Sequence, residues 1–250
     1  MAMTVATSGV ASEPVQFPGD GIAVTGFLAR PVFAETSAGR PTSQPPLGAP
    51  ALLLLHEWWG LNDQIKQVAR RFAGAGFVAL APDLYSRQGH KVTADPQEAS
   101  ALMAALSSQW ALRDLNAATQ YLKARPFVDP LRVGVVGFSM GGMVALNLAG
   151  HNSDLKAVVA FYAKVPPIET SAYLLSPVQF HHAGKDAWVT RKEVDTLRQG
   201  LEQTRKPGEI HIYPEAEHGF FNETRSEAYR AQDAALAWDR TLQFLRTHLQ

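Results

Sequence analysis

Signals for a strand, a sharp turn and a helix follow one another directly in the segment Val133-Gly-Val-Val-Gly-Phe-Ser-Met-Gly-Gly-Met143. Its valines predict a buried strand, and the apolar spacing of residues 143–148 predicts a helix directly after it. Residues 137–141 fit the pattern G-x-S-x-G, which is typical of a sharp turn with a serine at its tip. Such a turn strains the serine backbone, and the two glycines let strand and helix pass closely. The pattern predicts that Ser139 is held at the sheet edge; an ordinary glycine-rich connection is the alternative.

Apolar runs and helical patterns alternate along the rest of the chain. A hairpin is predicted at residues 15–31, and the helical region at residues 95–125 has a candidate break near Ser107. Strands are also predicted at residues 51–55, 77–80, 157–162, 178–186 (with its turn) and 209–213, and helices at residues 63–74, 192–205 and 225–250. Because strands separated by helices usually pair in parallel, we expect an α/β fold with a mostly parallel sheet and helices on both faces.

The sequence predicts one domain over residues 15–250, preceded by a flexible tail at residues 1–14. A chain of 250 residues can bury one large core. Residues 34–50 are rich in Pro, Gly, Ser and Thr, and we interpret them as a surface loop. They are not a domain linker in this interpretation, because too little sequence precedes them to build a core.

Composition excludes several classes of function. Lys plus Arg and Asp plus Glu number 23 each, so the net charge of zero gives no reason to expect a nucleic-acid or membrane partner. The absence of cysteine excludes disulfides, thiolate nucleophiles and cysteine metal sites. His181 and His182 point to opposite faces of one strand, so we expect no metal site. Without a signal-like segment at residues 1–16, we expect a cytoplasmic protein, with monomer and dimer both open.

Three groups suited to acyl transfer follow successive predicted strands in the order Ser139, Asp186, His218. A serine hydroxyl is a weak nucleophile at neutral pH, and an imidazole can take its proton during attack. The imidazole needs a buried acceptor, which Asp186 could supply from the turn after its strand. Each residue alone has an ordinary explanation, as turn chemistry or as an exposed histidine. The shared order and placement favour a catalytic triad.

The other candidate site residues surround these three. The backbone N–H groups of Met140 and Trp58 are expected to form the oxyanion hole. Glu57 is a charged residue at the carboxyl end of a strand, where ligands bind in parallel sheets. An apolar substrate pocket is predicted from aromatic residues near these positions, with core packing as the alternative for Phe138 and Phe221: Trp58, Trp59, Phe138, Trp188, Phe220 and Phe221.

With these residues identified, the chain resembles the dienelactone hydrolase family over roughly residues 15–245. The resemblance rests on five motifs: Leu55-His-Glu-Trp-Trp-Gly-Leu-Asn62, Ala81-Pro-Asp-Leu-Tyr85, Gly137-Phe-Ser-Met-Gly-Gly142, His182-Ala-Gly-Lys-Asp186 and His218-Gly-Phe220. It implies a single α/β-hydrolase domain with little or no lid. It also implies hydrolysis of small esters and lactones without a cofactor.

The chain departs from the family pattern at the nucleophile. Family enzymes that act on dienelactone usually have cysteine at the position of Ser139, and there the glutamate matching Glu57 contacts the thiol. Serine has a far higher pKa and must rely on His218 during attack. For Glu57 three roles stay open: to orient Ser139, to contact the substrate, or to pair with a nearby arginine.

The carboxylate-binding arginines of the family are also missing from their matched positions. These positions hold Asn222, which we expect at the substrate site, and an apolar residue near Leu102. Neither side chain can bind a carboxylate as an arginine does. The sequence therefore predicts a serine-dependent hydrolase of neutral, apolar esters or lactones. Alternatives are peptidase-like or acyltransfer activity on the same triad, or a ligand-binding protein without catalysis.

Overall fold

The computed structural model describes residues 7–33, 48–167 and 174–249. Within these ranges eight strands form one sheet in the order β1-β2-β4-β3-β5-β6-β7-β8. The strands are β1 (Thr7–Pro18), β2 (Ala23–Phe33), β3 (Ala49–Leu55), β4 (Val78–Pro82), β5 (Val128–Phe138), β6 (Leu155–Phe161), β7 (Val178–Ala183) and β8 (Gly208–Tyr213). The helices are α1 (Asp63–Gly74), α2 (Pro96–Ala104), α3 (Ser108–Lys123), α4 (Met140–Ala149), α5 (Arg191–Thr204) and α6 (Ala231–His248).

The sheet is mostly parallel, as the sequence predicts. Strands β3 to β8 pair in parallel, whereas β2 pairs antiparallel with both β1 and β4. Side chains of α3, α4 and α5 pack on one face, and side chains of α1 and α6 pack on the other. In β3 the leucines alternate between the two faces, which explains why this strand is apolar without interruption. The predicted α/β-hydrolase architecture is confirmed.

Several predicted boundaries are wrong. The tail predicted at residues 1–14 ends earlier, because β1 begins at Thr7 and pairs with β2 along its length. Backbone pairing holds this edge strand in place. Its sequence contains many polar residues and no apolar run from which a strand could be predicted. Most of the loop predicted at residues 34–50 lies outside the described residues, but Ala49 and Pro50 belong to β3.

The break predicted near Ser107 in the helical region at residues 95–125 is confirmed, because α2 ends at Ala104 and α3 begins at Ser108. The Ser107 side chain accepts a hydrogen bond from the N–H of Trp110 and caps α3. The closing helix begins at Ala231 instead of Arg225. Residues 222–230 form turns in which the Asn222 side chain accepts from the N–H of Thr224. Among the described residues, no helix is long and apolar enough to cross a membrane.

Candidate active site

The turn between β5 and α4 holds Ser139 in a backbone conformation that residues other than glycine rarely adopt. Its φ is 50° and its ψ is −113°. A Cβ added at Gly137 would overlap the carbonyl oxygen of Gly141, and a Cβ added at Gly141 would overlap the carbonyl oxygen of Leu55. Both positions therefore need glycine, for the reason that the sequence pattern suggested. The Ser139 N–H donates to the carbonyl oxygen of Phe161 at 2.9 Å, which ties the turn to β6.

The structure brings Ser139, His218 and Asp186 into one hydrogen-bonded chain. The Ser139 Oγ lies 2.7 Å from the Nε2 of His218. The other ring nitrogen of His218, Nδ1, lies 2.9 Å from Oδ2 and 3.1 Å from Oδ1 of Asp186. The three residues come from the turn after β5, the loop after β8 and the turn after β7. The arrangement can pass a proton from the hydroxyl to the imidazole.

The Asp186 carboxylate is fixed by its own turn. Its side chain has no exposed surface, and Oδ1 accepts from the N–H groups of Trp188 at 2.8 Å and Val189 at 3.0 Å. The His218 side chain keeps 25% of its surface exposed. A buried carboxylate held by two N–H groups can orient the imidazole and stabilise positive charge on it.

Met140 and Trp58 both line the cavity beside Ser139. Met140 is the first residue of α4, so its N–H has no partner within the helix. Glu57 begins a turn that contains Trp58, and the N–H of Gly60 donates to the carbonyl oxygen of Glu57 at 3.3 Å. The hydroxyl of Tyr85 donates to the carbonyl oxygen of Trp58 at 3.0 Å. The two predicted oxyanion donors therefore belong to residues that line the same cavity.

Glu57 lines the cavity and is held by two neutral donors. Only 5% of its surface is exposed. Its Oε1 accepts from the Tyr162 hydroxyl at 2.8 Å, and its Oε2 accepts from the Asn222 amide at 2.8 Å. Burial, and then the charge of Glu57, raise the pKa of Tyr162 well above its usual value, so this hydroxyl stays protonated and donates. Of the three roles considered for Glu57, pairing with an arginine is not observed among the described residues.

Two residues predicted at the substrate site lie behind the cavity wall. Asn222 is 2% exposed and uses its amide on Glu57. Phe220 is fully buried and packs against the rings of Tyr162 and Tyr213. Neither residue is among those that line the described cavity. The sequence placed them near His218 correctly, but nearness along a loop does not determine which way a side chain points.

The cavity has a volume of about 370 Å³ and a largely apolar wall. Trp188 stands at its mouth, 54% exposed, with its ring 5.7 Å from that of Trp58. The rings of Trp58 and Trp59 also pack edge to face, with their centroids 5.0 Å apart. The lining residues are Glu57, Trp58, Trp59, Pro96, Met103, Ser139, Met140, Met143, Tyr162, Lys164, Trp188, Val189, His218, Gly219 and Arg225.

Sequence reasoning missed two cations and one tyrosine at this cavity. The Lys164 Nζ lies 3.3 Å from the Oε1 of Glu193, and the Arg225 guanidinium pairs with Glu227 and stacks on Trp59. Both cations come from positions other than those matched to the arginines of the family. The sequence predicts Tyr162 only as the last residue of a buried strand. It follows β6 at a φ of 36°, an unusual conformation that the sequence did not signal.

The sheet order, the strained serine turn and the placement of the three side chains define an α/β-hydrolase. More particularly, the chain belongs to the dienelactone hydrolase family, whose model matches residues 35–249. This membership confirms the predicted family. It also confirms the prediction of an enzyme of the carboxylic-ester hydrolase class.

Similar proteins span almost the whole chain. A Bradyrhizobium sp protein, provisionally named 2-oxo-3-(5-oxofuran-2-ylidene)propanoate lactonase, is 32% identical over 256 residues, covering 98% of each chain. A protein of Escherichia coli strain K12, provisionally named carboxymethylenebutenolidase, is 31% identical over 97% of this chain and 94% of its own. The crystal structure of a provisionally named dienelactone hydrolase from Klebsiella pneumoniae is 28% identical. It covers 96% of this chain and 99% of its own, with a TM-score of 0.85.

Proposed function

We propose that this protein hydrolyses small carboxylic esters or lactones with Ser139 as the nucleophile. In this proposal the chain from β1 onward acts as one α/β-hydrolase domain and needs no cofactor. The observation that carries the proposal is the hydrogen-bonded chain from the Ser139 Oγ through His218 to Asp186, at the wall of a cavity of about 370 Å³. Membership in the dienelactone hydrolase family supports the same class of reaction.

In the first half of the reaction, the Ser139 Oγ attacks the carbonyl carbon while its proton passes to the Nε2 of His218. The distance of 2.7 Å between these atoms allows direct transfer. Asp186 accepts the Nδ1–H bond, holds this tautomer and stabilises the imidazolium that forms. The carbonyl oxygen becomes an oxyanion, which the N–H groups of Met140 and Trp58 stabilise.

Collapse of the tetrahedral intermediate forms an acyl-enzyme. The bond to the leaving oxygen breaks, and His218 returns its proton to that oxygen. With an ester the alcohol departs, and with a lactone it stays attached to the acyl group. Water then attacks the acyl carbon while His218 takes a proton from it, and a second collapse releases the acid and restores the Ser139 hydroxyl.

The serine makes this cycle depend on His218 throughout. A thiol beside a histidine can be stored as a thiolate, whereas the far higher pKa of a serine hydroxyl prevents storage as an alkoxide. We assign Glu57 a direct role in the cavity. Its negative charge, fixed by Tyr162 and Asn222, favours the positive charge that His218 gains during attack.

The cavity favours neutral, apolar substrates. Tryptophan and methionine side chains make up much of its wall. The two cations at the wall, Lys164 and Arg225, already pair with Glu193 and Glu227. An anionic substrate would have to compete with these carboxylates, whereas a neutral ester or lactone would not.

Labelling with a fluorophosphonate tests the nucleophile. The Ser139 oxygen should displace fluoride and form a stable bond to phosphorus, giving one adduct per chain at the peptide that contains Ser139. The matched control is Ser153→Ala, which removes an exposed serine hydroxyl elsewhere and should label like wild type. Ser139→Ala should not label. Ester hydrolysis that persists unchanged in Ser139→Ala would refute the proposal.

A further inference from the structure

Two fully buried side chains fasten the loop that follows β3. His56 and Tyr85 each have no exposed surface, and neither is among the residues that line the described cavity. His56 directly follows β3, and Tyr85 lies in the turn after β4, the next strand of the sheet. Their contacts converge on Glu57, Trp58 and Met140, which do line the cavity.

His56 fixes the peptide between Glu57 and Trp58. The N–H of Leu84 donates to its Nε2 at 3.0 Å, so this nitrogen carries no proton and Nδ1 must carry it. Nδ1 then donates to the carbonyl oxygen of Glu57 at 2.6 Å. The peptide is trans, so the N–H of Trp58 points away from that carbonyl and from His56. The direction of the N–H is thus set by a histidine with a single possible tautomer.

Tyr85 fixes the next peptide and touches the other donor residue. Its hydroxyl lies 3.0 Å from the carbonyl oxygen of Trp58 and 3.3 Å from the Sδ of Met140. The single proton goes to the carbonyl oxygen, because a thioether is a weak acceptor. The Tyr85 N–H donates to Asp83 at 2.9 Å, and its ring packs edge-on against that of His56 at 5.2 Å. Tyr85 is therefore itself held in place, and its hydroxyl contacts both Trp58 and Met140.

We propose that Tyr85, supported by His56, is a positioning residue for the oxyanion hole. The peptides on both sides of the Trp58 Cα are each held by one of these side chains, so the Trp58 N–H has a fixed direction before substrate binds. The contact of the Tyr85 hydroxyl with Met140 sets the spacing between the two donor residues. This inference rests on the proposed hydrolytic function, and it gives a role to the motif at residues 81–85.

A donor of this kind acts on the transition state. The oxyanion forms only as the carbonyl carbon becomes tetrahedral, so a misplaced donor lowers kcat and leaves substrate binding nearly unchanged. Displacement by about 1 Å can cost a factor of about 100 in rate. Removal of the Tyr85 hydroxyl frees the peptide that follows Trp58 and removes the contact with Met140. His56 still holds the peptide that carries the Trp58 N–H, so only part of this loss is expected. We therefore expect kcat to fall by about 10-fold or more, with KM within about 2-fold.

The experiment compares Tyr85→Phe with Tyr213→Phe in the full chain. Tyr213 is also buried, and its hydroxyl is within hydrogen-bond distance of His181 at 2.8 Å, away from the oxyanion loop. Both variants lose one buried hydrogen bond, so the midpoint of urea unfolding should fall in both. Hydrolysis of p-nitrophenyl butyrate gives kcat and KM separately. Only Tyr85→Phe should lose kcat, and its pH profile should keep the wild-type acid limb because His218 and Asp186 are untouched.

Two different failures can be told apart. A wild-type kcat in Tyr85→Phe would overturn the inference alone, and so would equal losses of kcat in the two tyrosine variants, which would indicate a purely structural role. If wild type shows no turnover beyond that of Ser139→Ala, the proposed function fails, and the positioning role that depends on it fails too.

Discussion

The strained turn at Ser139 predicts an unusual order of stabilities. At a φ of 50° and a ψ of −113°, a residue with a Cβ costs about 1–3 kcal/mol. Ser139→Gly and Ser139→Ala both remove the hydroxyl, but only the glycine relieves this strain. Glycine itself lowers the free energy of unfolding by about 0.5–1 kcal/mol, because it gives the unfolded chain more conformational freedom. The free energy of unfolding of Ser139→Gly should therefore exceed that of Ser139→Ala by up to about 2.5 kcal/mol.

Urea unfolding at 25 °C measures this difference, and thermal unfolding should show it as a rise in melting temperature of up to about 10 °C. The control is Ala235→Gly, at an exposed position within α6. There the same change from alanine to glycine should destabilise the protein by about 1 kcal/mol. The sign of the alanine-to-glycine effect should thus be opposite at the two positions. If Ser139→Gly is less stable than Ser139→Ala, the turn does not store strain and the reasoning is refuted.

Two further predictions concern Glu57 and the buried histidines. Glu57→Gln should lower kcat on a small ester by more than about 10-fold. The melting temperature should change little, because the Tyr162 hydroxyl can rotate to accept a hydrogen bond from the new amide. A wild-type kcat would show that Glu57 takes no part in the reaction. Burial lowers the pKa of His181 well below its usual value and also lowers the pKa of His182. The unfolded chain then binds more protons below about pH 6.5, so stability should fall as the pH falls from 6.5 to 5, by up to about 1.4 kcal/mol per pH unit for each histidine. Urea unfolding across this range checks the sign, and equal or greater stability at pH 5 would contradict it.

The fold could be predicted from sequence because its main signals are local. The uninterrupted leucines of β3 favour a strand covered on both faces, and the glycines around Ser139 favour a sharp turn, and the structure has both. The edge strand β1 and the start of α6 gave no such signal. Residues 7–14 are held by pairing with β2, and the turns after Asn222 depend on a side-chain contact that propensity does not describe.

The candidate site was predictable only in part, because its supporting contacts join distant residues. Glu57 is held by Tyr162 and Asn222, which lie 105 and 165 positions further along the chain. The sequence placed Asn222 near the substrate, whereas its amide faces Glu57. Lys164 and Arg225 reach the cavity from a loop and a turn, where no apolar period indicates direction. The predicted ends of the strands indicated where the site lies, but the direction of the side chains at that place depends on tertiary packing.

Hydrolysis of neutral esters or lactones by this protein should depend on Ser139. The most direct measurement is the rate of hydrolysis of neutral esters, neutral lactones and dienelactone by wild type and by Ser139→Ala. We expect wild type to hydrolyse the neutral substrates faster than dienelactone, and Ser139→Ala to hydrolyse none of them. A clear preference for dienelactone would contradict the assignment of substrate class. Equal rates for wild type and Ser139→Ala on every substrate would contradict the mechanism.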